Sequence, residues 1–134
     1  MAGYSDRQLF QKLGLRSGMS GALIAAPDNY QQLLGKGAPD IIWRSKVFEG
    51  CDIGHVFTTS RPELCQHCTD FRAQMARDGM LWVSWPKKSS KVATTVTEDV
   101  IREAALPLGL VDIKVCAVDS TWSGLKLVIR KELR

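Results

Sequence analysis

Cysteine and histidine gather in one short stretch of the chain: Cys51 and His55 in CDIGH, then Cys65, His67 and Cys68 in LCQHC. Thiolates at C-x-x-C spacing are ligands of structural zinc, and at a helix start they are the working groups of redox proteins. A structural zinc needs four convergent ligands. A strand through CDIGH would hold Cys51 and His55 on one face. A helix through LCQHC puts Cys65 and Cys68 on an apolar stripe with Leu64 and Phe71 and turns His67 away from Cys68. Buried thiols are the plainer reading, with a zinc or thiol module on Cys51, His55, Cys65 and Cys68 kept as an alternative. For redox chemistry the pair sits a turn too far into the helix, behind Pro62 and Glu63. No G-x-S-x-G elbow is present, and neither histidine is placed beside a serine with an orienting acid, so no catalytic residue is assigned.

A second constellation depends on how the chain is laid out. A helix is expected over Ser5 to Leu13, with Ser5 and Gln8 at capping-box spacing and Gly14 as the stop. GALIAA, Gly21 to Ala26, reads as a buried strand, and Asp28 with Gln31 can cap a helix through Leu34. Asp40 to Val47 reads as a more exposed strand and Asp52 to Thr59 as a third. Ser60 and Glu63 then open a helix to about Ala76, whose Leu64, Cys68, Phe71 and Met75 form one stripe. MLWVSW is a fourth strand after Gly79. Thr95 and Glu98 have capping-box spacing ahead of a helix with Val96, Val100, Ile101 and Ala104 on one face. LVDIKVCAVD and LKLVIRKEL flank STWSG as a terminal hairpin.

Alternation of this kind predicts an α/β fold, a three-layer Rossmann-like sandwich with a mostly parallel sheet and a C-terminal antiparallel hairpin. In open α/β sheets ligands bind outside the carboxyl ends of the strands. That rule brings four loops to one edge and gives a candidate ligand-binding set of Asp28, Asn29, Arg61, Trp85, Lys87, Lys88, Asp119 and Trp122. The set offers cations, two acids and two indoles, a rim suited to a small polar or anionic ligand. Several edge residues also have a plainer reading: Asp28 and Ser60 are explained as helix caps, Trp85 as a packed strand residue, and the lysines as a solvated turn.

With 134 residues, 45% hydrophobic and 24% charged, the chain is expected to form one domain, residues 1–134, with a core of its own. A formal charge of +4 suits an anionic partner, but the basic residues are too dispersed for a dedicated nucleic-acid binder. The N-terminus lacks the pattern of a secretory signal, and no apolar run is long enough to cross a bilayer. A cytoplasmic location with free thiols is therefore expected. An exposed edge strand, at Asp40 to Val47 or in the terminal hairpin, could pair between subunits.

The strand ending in SWPKKS, the capped helix after it and the hairpin are similar to the second half of class I methyltransferases. The block from GMLWVSWPKKSSK to the C-terminus, with KLGLRSGMSGALIAAPDNYQQLLG, resembles a family of short bacterial proteins of unknown function. The resemblance implies a reduced methyltransferase-like topology and no established activity. The methyl-donor site of such a fold needs glycines after the first strand, and this chain has IAAPDNY there. Glu49, beyond the second strand, stands where an acid could grip a ribose. Two readings stay open: a non-catalytic or vestigial domain, without cofactor, that binds a small anion or protein partner at the carboxyl edge, and an S-adenosylmethionine-dependent enzyme with an atypical first loop.

Overall fold

The computed structural model describes residues 7–134, so Ser5 and its proposed cap lie outside the described residues. Ten elements follow in order: α1 (Leu9–Leu13), β1 (Ser20–Ile24), α2 (Tyr30–Leu34), β2 (Ile42–Arg44), β3 (Cys51–Phe57), α3 (Arg61–Gln74), β4 (Met75–Pro86), α4 (Glu98–Ala105), β5 (Leu110–Ala117) and β6 (Trp122–Ile129). They build a six-stranded sheet of order β2-β1-β3-β4-β6-β5. Neighbours from β2 to β4 pair in parallel, and β6 is antiparallel to both β4 and β5.

Each face of the sheet carries its own core. On one side α3 and α4 bury Leu64, Cys68, Phe71, Ile101 and Ala105 against Val56, Leu81, Val83, Leu125 and Leu127. On the other, α1 and α2 bury Leu9, Leu13, Tyr30 and Leu34 against Ile53, Phe57, Met80, Trp82 and Val128. The buried indole of Trp82 donates from Nε1 to the Leu13 carbonyl at 3.0 Å, which satisfies a carbonyl at the end of α1 and ties that helix to β4.

The expected stripe of α3 is realised, with Leu64, Cys68 and Phe71 wholly buried, and Ser60 caps the helix by accepting from the Glu63 N–H at 3.4 Å. Three expectations need correction. Asp28 does not cap α2: the N-cap position is Asn29, which makes no side-chain cap bond. Thr95 does not cap α4: Thr97 does, accepting from the Val100 N–H at 3.2 Å, because Thr95 Oγ1 instead accepts from the Arg61 N–H at 2.8 Å. The strand expected over Asp40 to Val47 shrinks to Ile42–Arg44, because Val47 and Phe48 leave the strand and pack into the core beneath α3.

That shortening shapes the whole edge beside β1. Arg44 pairs with Ala22, which on its other side pairs with Gly54, so β2 stops level with the middle of β3. Residues 45–50 alone carry the chain back over β1 to Cys51, where a parallel crossover usually needs about a dozen residues and a helix. A crossover this short is feasible only because β2 ends early.

Gly54 is the point of closest approach between sheet and helix: a Cβ there would lie 2.2 Å from the Phe71 ring. Gly54→Ala should cost about 1–3 kcal/mol through forced displacement of that ring, read as a lower urea midpoint at unchanged slope. An unchanged midpoint would show that Phe71 is not fixed by this contact.

Candidate functional site

The carboxyl edge carries the loops that the strand-end rule singles out, and the structure shows what their side chains do. Asp119 Oδ1 accepts from the N–H groups of Thr121 and Trp122, at 2.8 and 2.7 Å, and so fixes the turn of the β5–β6 hairpin. Trp122 stands edge-on to Phe57, with ring centroids 5.1 Å apart. Trp85 is partly buried against the α3–α4 core. The Arg61 guanidinium pairs with Glu103 at 3.3 Å in an exposed position. The Lys87 N–H donates to the Thr121 carbonyl at 2.8 Å, so Lys87, Asp119 and Trp122 are drawn together, while its ammonium makes no ion pair among the described residues. Lys88, Asp28 and Asn29 are exposed.

Beneath this rim lies a polar chain that sequence reading does not reveal. His55 Nδ1 is 2.7 Å from the Tyr30 hydroxyl, and His55 Nε2 is 2.7 Å from Ser84 Oγ, with His55 and Ser84 fully buried. A neutral imidazole has one donor and one acceptor nitrogen, so the two bonds run in one direction. Either the Tyr30 hydroxyl donates to Nδ1 and Nε2–H donates to Ser84, or Ser84 donates to Nε2 and Nδ1–H donates to Tyr30. Phe57 stacks on His55 at 4.4 Å, and Tyr30 meets the rings of Trp43 and Phe57 edge-on, each at 5.8 Å. A serine hydrogen-bonded to histidine has the chemistry of a nucleophile and its base, but Ser84 has no surface to present to a substrate. The chain of bonds joins α2, β3 and β4. The signal in the sequence is the alternation that puts His55 beside Phe57 and Ser84 beside Trp82; the pairing with Tyr30 has none.

The cysteines do not converge. Cys51 packs in the α3 layer and His55 in the α2 layer, because a register irregularity between Cys51 and Ile53 breaks the strand alternation that would have put them on one face. Cys65 is exposed and Cys68 buried, so the expected shared stripe holds only for Cys68. Burial pushes the Cys68 thiol up to about 12, the opposite of an activated thiolate. Among the described residues no group of three or more His, Cys, Asp or Glu side chains could hold a metal ion.

The methyl-donor pattern fails at two further places. Glu49 lies just ahead of Cys51, at the amino end of β3, so it cannot reach a ribose at the carboxyl edge. Arg44, the last residue of β2, is a cation lying 4.5 Å from the Phe48 ring centroid. Yet the loop after β1 still turns as a glycine would: Ala25 has φ +59°, in the left-handed region. Nothing comparable closes the opposite, amino edge, where a cleft of about 820 Å³ opens between residues 14–19 and Asp52, Met80 and Lys126.

Sheet order, layers and hairpin define a Rossmann-like, methyltransferase-like α/β protein. The chain is similar in structure to a ribosomal protein L11 methylase from Lactobacillus delbrueckii subsp. bulgaricus, with a TM-score of 0.60, 11% identity, and coverage of 90% of this chain and 74% of that one. An S-adenosylmethionine-dependent methyltransferase from Aquifex aeolicus gives a TM-score of 0.62 at 10% identity over 90% of this chain and 87% of the other. A protein of the NADB-Rossmann superfamily from Streptococcus agalactiae gives 0.56 at 9% identity, covering 92% and 68%. At these identities the likeness shows the fold alone. No curated protein matches the sequence. The chain belongs to the family described as protein of unknown function (DUF3052), which it matches over residues 56–131.

Two predictions follow from this geometry. Burial pushes His55 down to about 3, from an ordinary value of 6.5. Between those limits the unfolded chain binds the proton and the folded chain does not, so stability is full above pH 6.5 and falls with acidification by about 1.4 kcal/mol per pH unit from this group. His55→Gln should remove that slope between pH 6.5 and 5 in urea titrations; an unaltered slope would show that His55 titrates alike in both states. Ala25→Gly should raise stability by about 0.5–1 kcal/mol, the left-handed penalty of alanine less the added chain entropy of glycine, in the same measurement.

Proposed function

We propose that residues 1–134 form a single non-catalytic domain of methyltransferase-like fold that binds a small anion or a protein partner at the carboxyl edge. The observation that carries this reading is the early end of β2. With β2 stopping level with Ala22, β1 is flanked only by β3 where its loop emerges, and the wall on the β2 side that would carry a ribose-gripping acid is missing. The rings of Tyr30, Phe57 and Trp122 occupy the space beneath. What stays uncommitted at that edge is Lys87, Lys88, Asn29 and Asp28, a polar and mainly cationic rim suited to an anion or an acidic surface.

No helix among the described residues is long and apolar enough to cross a membrane. The four free cysteines suit a reducing compartment, and we place the chain in the cytoplasm. Edge strand β2, with Ile42 82% exposed, is the one we assign to pairing between subunits.

One observation favours the second reading, an S-adenosylmethionine-dependent enzyme: the left-handed Ala25 preserves the shape of a glycine turn. Isothermal titration with S-adenosylmethionine and S-adenosylhomocysteine separates the two. No binding of either is expected, and micromolar affinity for one would overturn the non-catalytic reading.

A further inference from the structure

The cleft lies at the amino edge of the sheet, opposite the carboxyl-edge rim of Asp28, Lys87, Asp119 and Trp122. Its walls are Arg7 and Gln11, the loop from Gly14 to Met19 and the amino ends of β3 and β4, with Lys126 and Val128 near the end of β6 as floor. Its volume of about 820 Å³ falls in the range of small-molecule sites, roughly 300–1,000 Å³.

The floor carries a cation where strand alternation calls for an apolar residue. In β6, Leu125, Leu127 and Ile129 face the α3–α4 core, while Val128 belongs to the opposite core and Lys126 shares its face. Lys126 is half-buried, and both it and Arg16 line the cleft. Burial and the nearby charges of Lys114 and Arg16 hold its ammonium below the usual lysine range. Among the described residues neither Lys126 nor Arg16 forms an ion pair. Of the two carboxylates in the lining, Asp52 already accepts from the N–H and hydroxyl of Ser20, at 2.9 and 3.1 Å, and Asp78 is exposed. With Arg7 also in the lining, cations there outnumber carboxylates three to two, and Lys126 is the half-buried one among them. Met80 and Val128 beside them are apolar.

We propose that this cleft is a binding site for a small organic anion, its carboxylate or phosphate held by Arg16 and Lys126 and its apolar body laid against Met80 and Val128. The proposal is independent of what the carboxyl edge binds.

The test is an amide chemical-shift titration of the full chain with hexanoate, hexyl phosphate, inorganic phosphate and hexylamine. At least one of the two hexyl acids should move the amides of residues 14–19 and 126–128, and whichever binds more tightly identifies the acid group. Arg16→Gln, on an exposed loop, and Lys126→Gln should each weaken that binding about tenfold or more. The double variant Lys87→Gln, Lys88→Gln should bind as the parent does, which separates this site from the carboxyl edge. The proposal is overturned if neither hexyl acid moves those amides at about 10 mM. It is equally overturned if hexylamine moves them as strongly, if inorganic phosphate binds as tightly as hexyl phosphate, or if either single variant retains the parent's affinity.

Discussion

A neutral imidazole held at 2.7 Å on both sides, by Tyr30 and by Ser84, fixes how α2, β3 and β4 meet. Buried polar groups are tolerated only when bonded, and here each nitrogen has its partner, so the network specifies one arrangement of three elements. Tyr30 sits at the first position of α2, and its hydroxyl must reach across to β3. That requirement holds the helix down on the sheet and brings the rings of Trp43, Phe57 and Trp122 into contact around it. The same packing that satisfies His55 therefore fills the region under the carboxyl edge. That space is used to bury the side chains of Tyr30, His55 and Phe57.

The shortened β2 and its six-residue return act in the same direction. A full βαβ unit would extend the sheet beside β1 and lay a helix over it. Here Val47 and Phe48 supply the apolar cover that such a helix would give, and they reach the core because the chain turns back level with Ala22. The left-handed Ala25 follows from the same turn geometry. The chain must leave β1 sharply to enter α2, and Ala25 makes that turn in the left-handed region that glycine enters more readily.

How much of this could be read from the letters depends on whether local or long-range forces decide. The stripe Leu64, Cys68 and Phe71 was legible because helical spacing alone determines which side chains share a face; Met75, expected to continue it, is buried but already extended, at the start of β4. Ser60 was legible as a cap because its partner is three residues away. Thr95 misleads because a hydroxyl at capping spacing can be claimed by a distant amide, here that of Arg61. Asp40 to Val47 misleads because an apolar run does not say whether its last residues stay in a strand or cover a core. The carboxyl-edge loops were correctly gathered from topology, but the roles of Asp119, in the hairpin turn, and Trp122, against Phe57, depend on contacts that spacing does not encode. Cys51 and His55 part company at a strand irregularity that leaves no mark in the sequence.

Lys126 was not legible either: LKLVI alternates as any half-exposed strand does, and only the fold shows it sharing a face with buried Val128, a face that α1 covers in part. That helix has five residues, about 7.5 Å of axis, against roughly 27 Å for the eight residues of β6. It covers Met80 and Trp82 and ends there, its last turn tied outward where Lys114 Nζ donates to the Lys12 carbonyl at 2.9 Å. An unpaired ammonium is tolerated at Lys126 because it stays only half-buried and keeps contact with the cleft. Short α1 and charged β6 are thus compatible: beyond Leu13 the chain leaves as the loop to Met19, and Lys126 stays half-buried at the cleft.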